Sequence, residues 1–252
     1  MRPRIFGTGK MKYLQKLKRR ILASRRPEQL NGAVNFDLEA IFIAVPKTGT
    51  TSIRDQISPK EPYLIPHEHL SLVQVRDLLY PHFLAQALNR NRGFPTEGVA
   101  TDAEVRVKAR AAFDGFFKFS GVRNPWARAV SLYFRSEGVQ IASAMSFAEF
   151  CAQHRYASDT CLKPTLHRNQ VDWLTDETGR IAVDYVYRIE ELDTAIGAIR
   201  ERTGGRINLE PLKRNVNQRS RSETYRDVYD DTTRQLIARH FEKDIDTFKY
   251  TF

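Results

Sequence analysis

Lys47-Thr48-Gly49-Thr50-Thr51-Ser52 places a cation, a glycine and four hydroxyl side chains in one unbroken stretch. Just before it, Ile41 to Val45 is an apolar, β-branched run of the kind that forms a buried parallel strand. Pro46 ends that strand, because proline cannot donate to a ladder. Ile53 and Ile57 follow at helical spacing, and Ser58-Pro59 stops the short helix they imply. A strand, a tight loop and a helix N-terminus gather backbone N–H groups and the positive end of a helix dipole at one point, which suits an anion. Lys47 adds a full charge, so Lys47, Thr48, Gly49, Thr50, Thr51 and Ser52 read as a phosphate cradle. In the Walker pattern lysine follows the second glycine and precedes the magnesium-binding hydroxyl; here lysine precedes the only glycine. Taken alone, the segment also fits a polar strand-to-helix turn whose hydroxyls cap the helix.

A second anion grip is predicted around Arg123. Phe116 to Val122 reads as a strand, Asn124 as an N-cap, and Pro125 suits the first helical position, where a missing N–H costs nothing. Trp126, Ala129, Val130 and Tyr133 form the buried stripe of the helix that follows, with Ser131 off that stripe. An arginine fork before the helix and a hydroxyl in its second turn suit a terminal phosphate monoester. The bland alternative is an exposed arginine and a helix-surface serine.

Between the two grips, His67 and His69 share a face if their segment is extended. No further ligand stands at metal-binding spacing, so no metal is expected. A histidine just ahead of a helix N-terminus sits in a positive potential that favours neutral imidazole, the form a general base needs near pH 7. Two surface histidines in a loop remain the other reading.

These residues require strands to carry them and helices to hold the strands. Ser71 is a plausible cap for a helix with Leu72, Val75, Leu78 and Leu79 inward. Residues 81–100 read as irregular, and Thr101-Asp102-Ala103-Glu104 as a capping box with Val105, Ala109, Ala112 and Phe113 as its stripe. Ser146 opens another helix, Ile181 to Tyr187 reads as a third strand, and Leu192 to Arg202 as a helix ended by Gly204-Gly205. Thr232 to Phe241 reads as the last helix. The expected architecture is α/β: a P-loop-like, mainly parallel sheet with helices on both faces and the ligand across the carboxyl ends of the strands.

Pro-Lys-Thr-Gly-Thr-Thr-Ser at 46–52, followed by Val-Arg-Asn-Pro-Trp-x-Arg-x-x-Ser-x-Tyr at 122–133, resembles the sulfotransferases that use 3′-phosphoadenosine 5′-phosphosulfate (PAPS). The resemblance is closest to the carbohydrate sulfotransferases, which include chondroitin and heparan-sulfate enzymes and bacterial relatives. It extends through Asn169 to Leu174, Asp184 to Glu190, Tyr229 to Asp231 and Asp244 to Tyr250, covering roughly residues 38–252. It implies the sulfotransferase fold, with Lys47 to Ser52 holding the 5′-phosphosulfate and Arg123 and Ser131 the 3′-phosphate. It also implies a histidine base, His69 or its neighbour His67, and a loop over residues 213–226 whose Arg221 contacts the 3′-phosphate. The implied reaction moves a sulfuryl group from PAPS to a carbohydrate or glycoconjugate hydroxyl, releases 3′,5′-adenosine bisphosphate and needs no metal. His167, Arg168 and Gln170 stand as acceptor contacts or as structural residues. The rival readings are a P-loop nucleotide or sugar kinase, which the misplaced lysine disfavours, and a non-catalytic nucleotide- or sulfoglycan-binding protein.

The chain's 252 residues are ample for one domain, and its charge of +10 is local. Ten of the 40 basic residues lie in residues 1–26, which have no acid, leaving 30 basic against 30 acidic in the rest. The balanced body gives no basis for a nucleic-acid partner. Met11, Leu14, Leu17, Ile21 and Leu22 recur among the leader's cations, so residues 1–30 form a basic amphipathic leader to a single domain over 31–252. Such a leader could sit on an anionic membrane surface, act as a transit peptide, or be a solvated or docked arm. No run of about 18 apolar residues occurs, and Cys151 and Cys161 lack metal-ligand spacing. Golgi members of the resembled family carry a membrane anchor and luminal disulfides; neither is expected here, which points to a cytoplasmic, bacterial-type enzyme.

Overall fold

The computed structural model describes residues 30–59, 63, 65, 67–90, 101–134, 141–153, 168–210 and 225–252. Among them a four-stranded sheet runs in the order β1-β2-β3-β4, with β1 Val34–Asn35, β2 Ala40–Ile43, β3 Phe117–Val122 and β4 Tyr185–Arg188. β1 is antiparallel to β2, while β2, β3 and β4 are mutually parallel.

Period-2 alternation divides β2 and its continuation between two cores. Ile41, Ile43 and Val45 face one side, where they join Leu72, Val75 and Leu79 of α2 (Leu72–Arg90) and Ala109 of α3 (Asp102–Gly115). The same core takes in Ala129 and Val130 of α4 (Pro125–Tyr133). Ala40, Phe42 and Ala44 face the other side, against Ile53 and Ile57 of α1 (Thr50–Ile57) and Ala195 and Ile199 of α7 (Leu192–Arg202). Cover on both faces explains why β2 is an unbroken apolar run. The expected α/β sheet with flanking helices is what forms.

Local capping chemistry sets most helix starts. Thr101 and Glu104 make the reciprocal capping box at α3, and Asn124 Oδ1 accepts from Trp126 and Ala127 N–H at α4. Ser71 Oγ accepts from Gln74 N–H at α2, and Ser146 Oγ from Glu149 N–H before α6 (Phe147–Gln153), which follows the short α5 (Ile141–Ala144). At the far end of the sheet the buried Lys118 Nζ donates to the Phe113 and Phe116 carbonyls, satisfying the end of α3.

Four local expectations are corrected. α2 continues through Pro81 to Arg90, because His82 is drawn into the core and stacks on Phe36 at 4.9 Å. The strand expected over 181–187 is β4, confined to Tyr185–Arg188: upstream, Asp176 Oδ1 accepts from Thr178 and Arg180 N–H and folds 175–181 into a turn closed by a Thr175–Ile181 bridge. The helix predicted over 232–241 is α8 (Asp231–His240), capped by Asp230. A further helix, α9 (Glu242–Phe248), follows it directly and ends with Lys249 at φ 53°. Cys151 is a buried free thiol that burial pushes up to about 12, an unreactive core side chain. No helix of the described residues is long and apolar enough to cross a membrane.

Candidate active site

The turn from β2 into α1 takes a left-handed backbone at two positions. Lys47 and Gly49 both have positive φ, at 67° and 73°, and Gly49 is the N-cap of α1. Having no side chain, Gly49 leaves the first N–H groups of α1 without a side-chain cap, which overturns the helix-capping alternative at that position. Thr48 is fully buried and its Oγ1 donates to the Val45 carbonyl at 3.0 Å, pinning the loop from inside. Thr50 is buried as well, while Thr51 is exposed and Lys47 and Ser52 are part-exposed. Of the side chains in the predicted cradle, those of Lys47, Thr51 and Ser52 reach the surface.

Gly49 also has a steric reason. A Cβ there would lie 2.6 Å from Ile189 Cδ1, in a backbone conformation L residues resist. Gly49→Ala is expected to destabilise the fold by about 1–3 kcal/mol. Chemical denaturation measures this, and an unchanged midpoint would contradict it.

The second grip leaves the same edge of the sheet, because β3 is parallel to β2 and adjacent to it. Arg123 Nη1 donates to the Lys47 carbonyl at 3.4 Å, so the two predicted grips meet. Arg128, buried in α4, donates from Nε to the Pro46 carbonyl at 3.0 Å and from Nη1 to the Arg168 carbonyl at 3.0 Å. Ser120 Oγ donates to the Ile43 carbonyl at 2.7 Å, tying β3 to β2 just before the loops diverge. Ser131 is the one residue of α4 that is not buried. Burial pulls the Arg123 pKa below its ordinary value, with Glu190 and Tyr250 opposing, yet a guanidinium stays charged. A largely desolvated cation of this kind favours an anionic partner.

His69 lies beside the first grip. Its Nδ1 is 2.7 Å from the Ala44 carbonyl, an acceptor only, so Nδ1 carries the proton and Nε2 holds the lone pair. Burial lowers the His69 pKa, outweighing the Ala44 contact and Glu68, which raise it. The segment is fixed from outside: Asn31 Nδ2 donates to the Ile65 and His67 carbonyls, and Glu68 pairs with Arg54 of α1 at 2.6 Å. His67 differs, because its Nδ1 accepts the His69 backbone N–H at 3.1 Å within the turn. The His69 ring also stands edge-on to the buried Trp173, with centroids 6.4 Å apart.

Several residues that hold the site were not singled out for this from sequence. Glu190 Oε1 accepts the Asn124 N–H at 2.7 Å, and Asn124 Nδ2 donates to the Thr251 carbonyl at 2.8 Å. Gln170 and Asp244 secure the backbone beside Arg123. All three acidic and amide partners lie in the later blocks quoted above, where only long-range contact reveals their use. Arg168, one of the suggested acceptor contacts, stacks over Trp173 at 5.5 Å and donates to the Asp172 carbonyl. Arg221, His167, Cys161 and residues 1–29 of the leader lie outside the described residues, while Leu30 is buried in the core. No group of three or more His, Cys, Asp or Glu suited to a metal occurs among the described residues.

No curated protein and no solved structure matches the chain. A family model described as the sulfotransferase family matches residues 34–251, which include both grips, His69 and their supports. The chain belongs to the sulfotransferase family, and sulfuryl transfer is its reaction class.

Proposed function

We propose that the protein transfers a sulfuryl group from PAPS to a carbohydrate hydroxyl, with His69 as general base. The observation that carries this reading is the 3.4 Å approach of Arg123 to the Lys47 carbonyl, which unites two anion grips at the carboxyl ends of neighbouring strands. The residues present fit the nucleotide: an α1 N-terminus without a side-chain cap for the 5′ end, a desolvated guanidinium for the 3′-phosphate. Lys47, Thr48, Gly49, Thr50, Thr51 and Ser52 would hold the 5′-phosphosulfate, the buried Thr48 and Thr50 through backbone only. Arg123 and Ser131, with Arg221, would hold the 3′-phosphate.

PAPS supplies the activated sulfuryl group. The acceptor hydroxyl forms the new O–S bond as the S–O bond to the 5′-phosphate breaks, and its proton passes to His69 Nε2. The Ala44 carbonyl keeps Nδ1 protonated and so points the lone pair of Nε2 to this task. Lys47 and the α1 N–H groups neutralise the charge that develops on the departing phosphate, as in phosphoryl transfer. His67, engaged in its own turn, shapes the segment. A carbohydrate acceptor rests on the motif resemblance, cytoplasmic residence on cysteine usage that suits a reducing compartment, and peripheral membrane contact on the basic amphipathic pattern of residues 1–26.

Radiolabelled sulfate transfer from PAPS over a panel of glycans tests the function: label on a sugar hydroxyl is expected, and bisphosphate binding without label on any acceptor would contradict it. Arg123→Ala is expected to lower affinity for 3′,5′-adenosine bisphosphate by roughly 2–5 kcal/mol. Calorimetry reads this, and retained affinity would remove the 3′-phosphate assignment.

A further inference from the structure

β3 ends at Val122, whose register partner Arg188 closes the ladder, so the backbone of Arg123 has no strand neighbour at this edge. A side chain takes that place. Gln170 Oε1 accepts the Arg123 N–H at 2.8 Å, and Gln170 Nε2 donates to the Arg123 carbonyl at 2.8 Å. One primary amide thus brackets both polar groups of a single residue, as a neighbouring strand would.

Gln170 is itself fully buried and fixed. Asp244, buried in α9, accepts the Gln170 N–H and side-chain Nε2 at Oδ2, at 2.8 and 3.2 Å, and the Val171 N–H at Oδ1 at 2.9 Å. The buried Arg128 opposes its charge and also reaches the Pro46 carbonyl of the first grip. A buried carboxylate is costly unless it is met in this way, and a network with every member satisfied holds one geometry.

We propose that Gln170, anchored by the Asp244 carboxylate, is the positioning residue that sets the Arg123 peptide in register for the nucleotide 3′-phosphate. The inference rests on the nucleotide reading given above. Gln170 touches Arg123 and none of residues 47–52 among the described contacts, so its influence belongs to the 3′ end of the ligand.

The test compares two probes on the full chain by calorimetry: 3′,5′-adenosine bisphosphate and adenosine 5′-phosphate, which lacks the 3′ group. Gln170→Met is expected to weaken the bisphosphate roughly tenfold and to leave the monophosphate within about twofold. Asp244→Asn, which keeps the volume, is expected to shift the same ratio in the same direction. Equal loss for both probes, or no loss, would overturn the positioning role; if Gln170→Met does not fold, the ratio for Asp244→Asn decides. A wild-type chain without preference for the bisphosphate would instead sink the nucleotide reading itself, which separates the two failures.

Discussion

Lys47→Ala is expected to lower kcat by about 10²- to 10³-fold, while affinity for 3′,5′-adenosine bisphosphate falls by less than about tenfold. The asymmetry follows from where charge appears. On the proposed reading the 5′ end of the bound nucleotide already rests on the α1 N-terminus, whose first N–H groups have no side-chain cap. As the S–O bond breaks, negative charge grows on the phosphate oxygen, and the cation beside it contributes more than it did in the ground state. Arg123 Nη1 donates to the Lys47 backbone carbonyl, a contact that alanine keeps, so the substitution removes the charge more than the loop. Alanine must adopt the same positive φ, so a circular-dichroism melt should accompany the kinetics. Equal losses in turnover and binding would refute a transition-state role for Lys47.

His69→Ala is expected to remove about 10²- to 10⁴-fold of the transfer rate, and His67→Ala to leave most of it. The difference lies in their nitrogens: His69 donates from Nδ1 to Ala44, leaving Nε2 as the basic site, whereas His67 Nδ1 closes a turn. The pH profile has a definite sign. Burial holds the His69 pKa below the ordinary 6.5, so the imidazole stays neutral and able to accept a proton further into acid than an ordinary histidine. The acid limb of kcat is therefore expected below pH 6.5, and it should vanish or shift in any residually active His69 variant. An acid limb above that value, or full activity in His69→Ala, would contradict the assignment.

The turns that carry the two predicted grips were legible in the sequence because their conformation is set locally. A strand ended by proline, a glycine at the helix start, and Asn124-Pro125 each act within a few residues, and Ser131 falls on the open side of α4 as helical spacing requires. The cause of the neutral His69 was not legible. The helix-start argument pointed the right way, but the burial that lowers the pKa comes from packing of distant segments. Thr48 shows the limit of reading hydroxyls as ligands, since its side chain bonds the carbonyl three residues back. Gln170 was read as an acceptor contact or a structural residue and proves structural, but its partner and those of Glu190 and Asp244 were unreadable, lying 47, 66 and 74 residues away along the chain. Their blocks marked the family; only the folded chain gives them work. α2 passing Pro81 and α9 following α8 without a break are likewise tertiary outcomes that propensity opposes or leaves open.

A crystal structure of the full chain with 3′,5′-adenosine bisphosphate tests the central claim most directly. The 5′-phosphate is expected on the α1 N-terminus beside Lys47, with the 3′-phosphate between Arg123 and Ser131. A nucleotide bound away from these loops, or held by one of them with the other phosphate in solvent, would contradict the account.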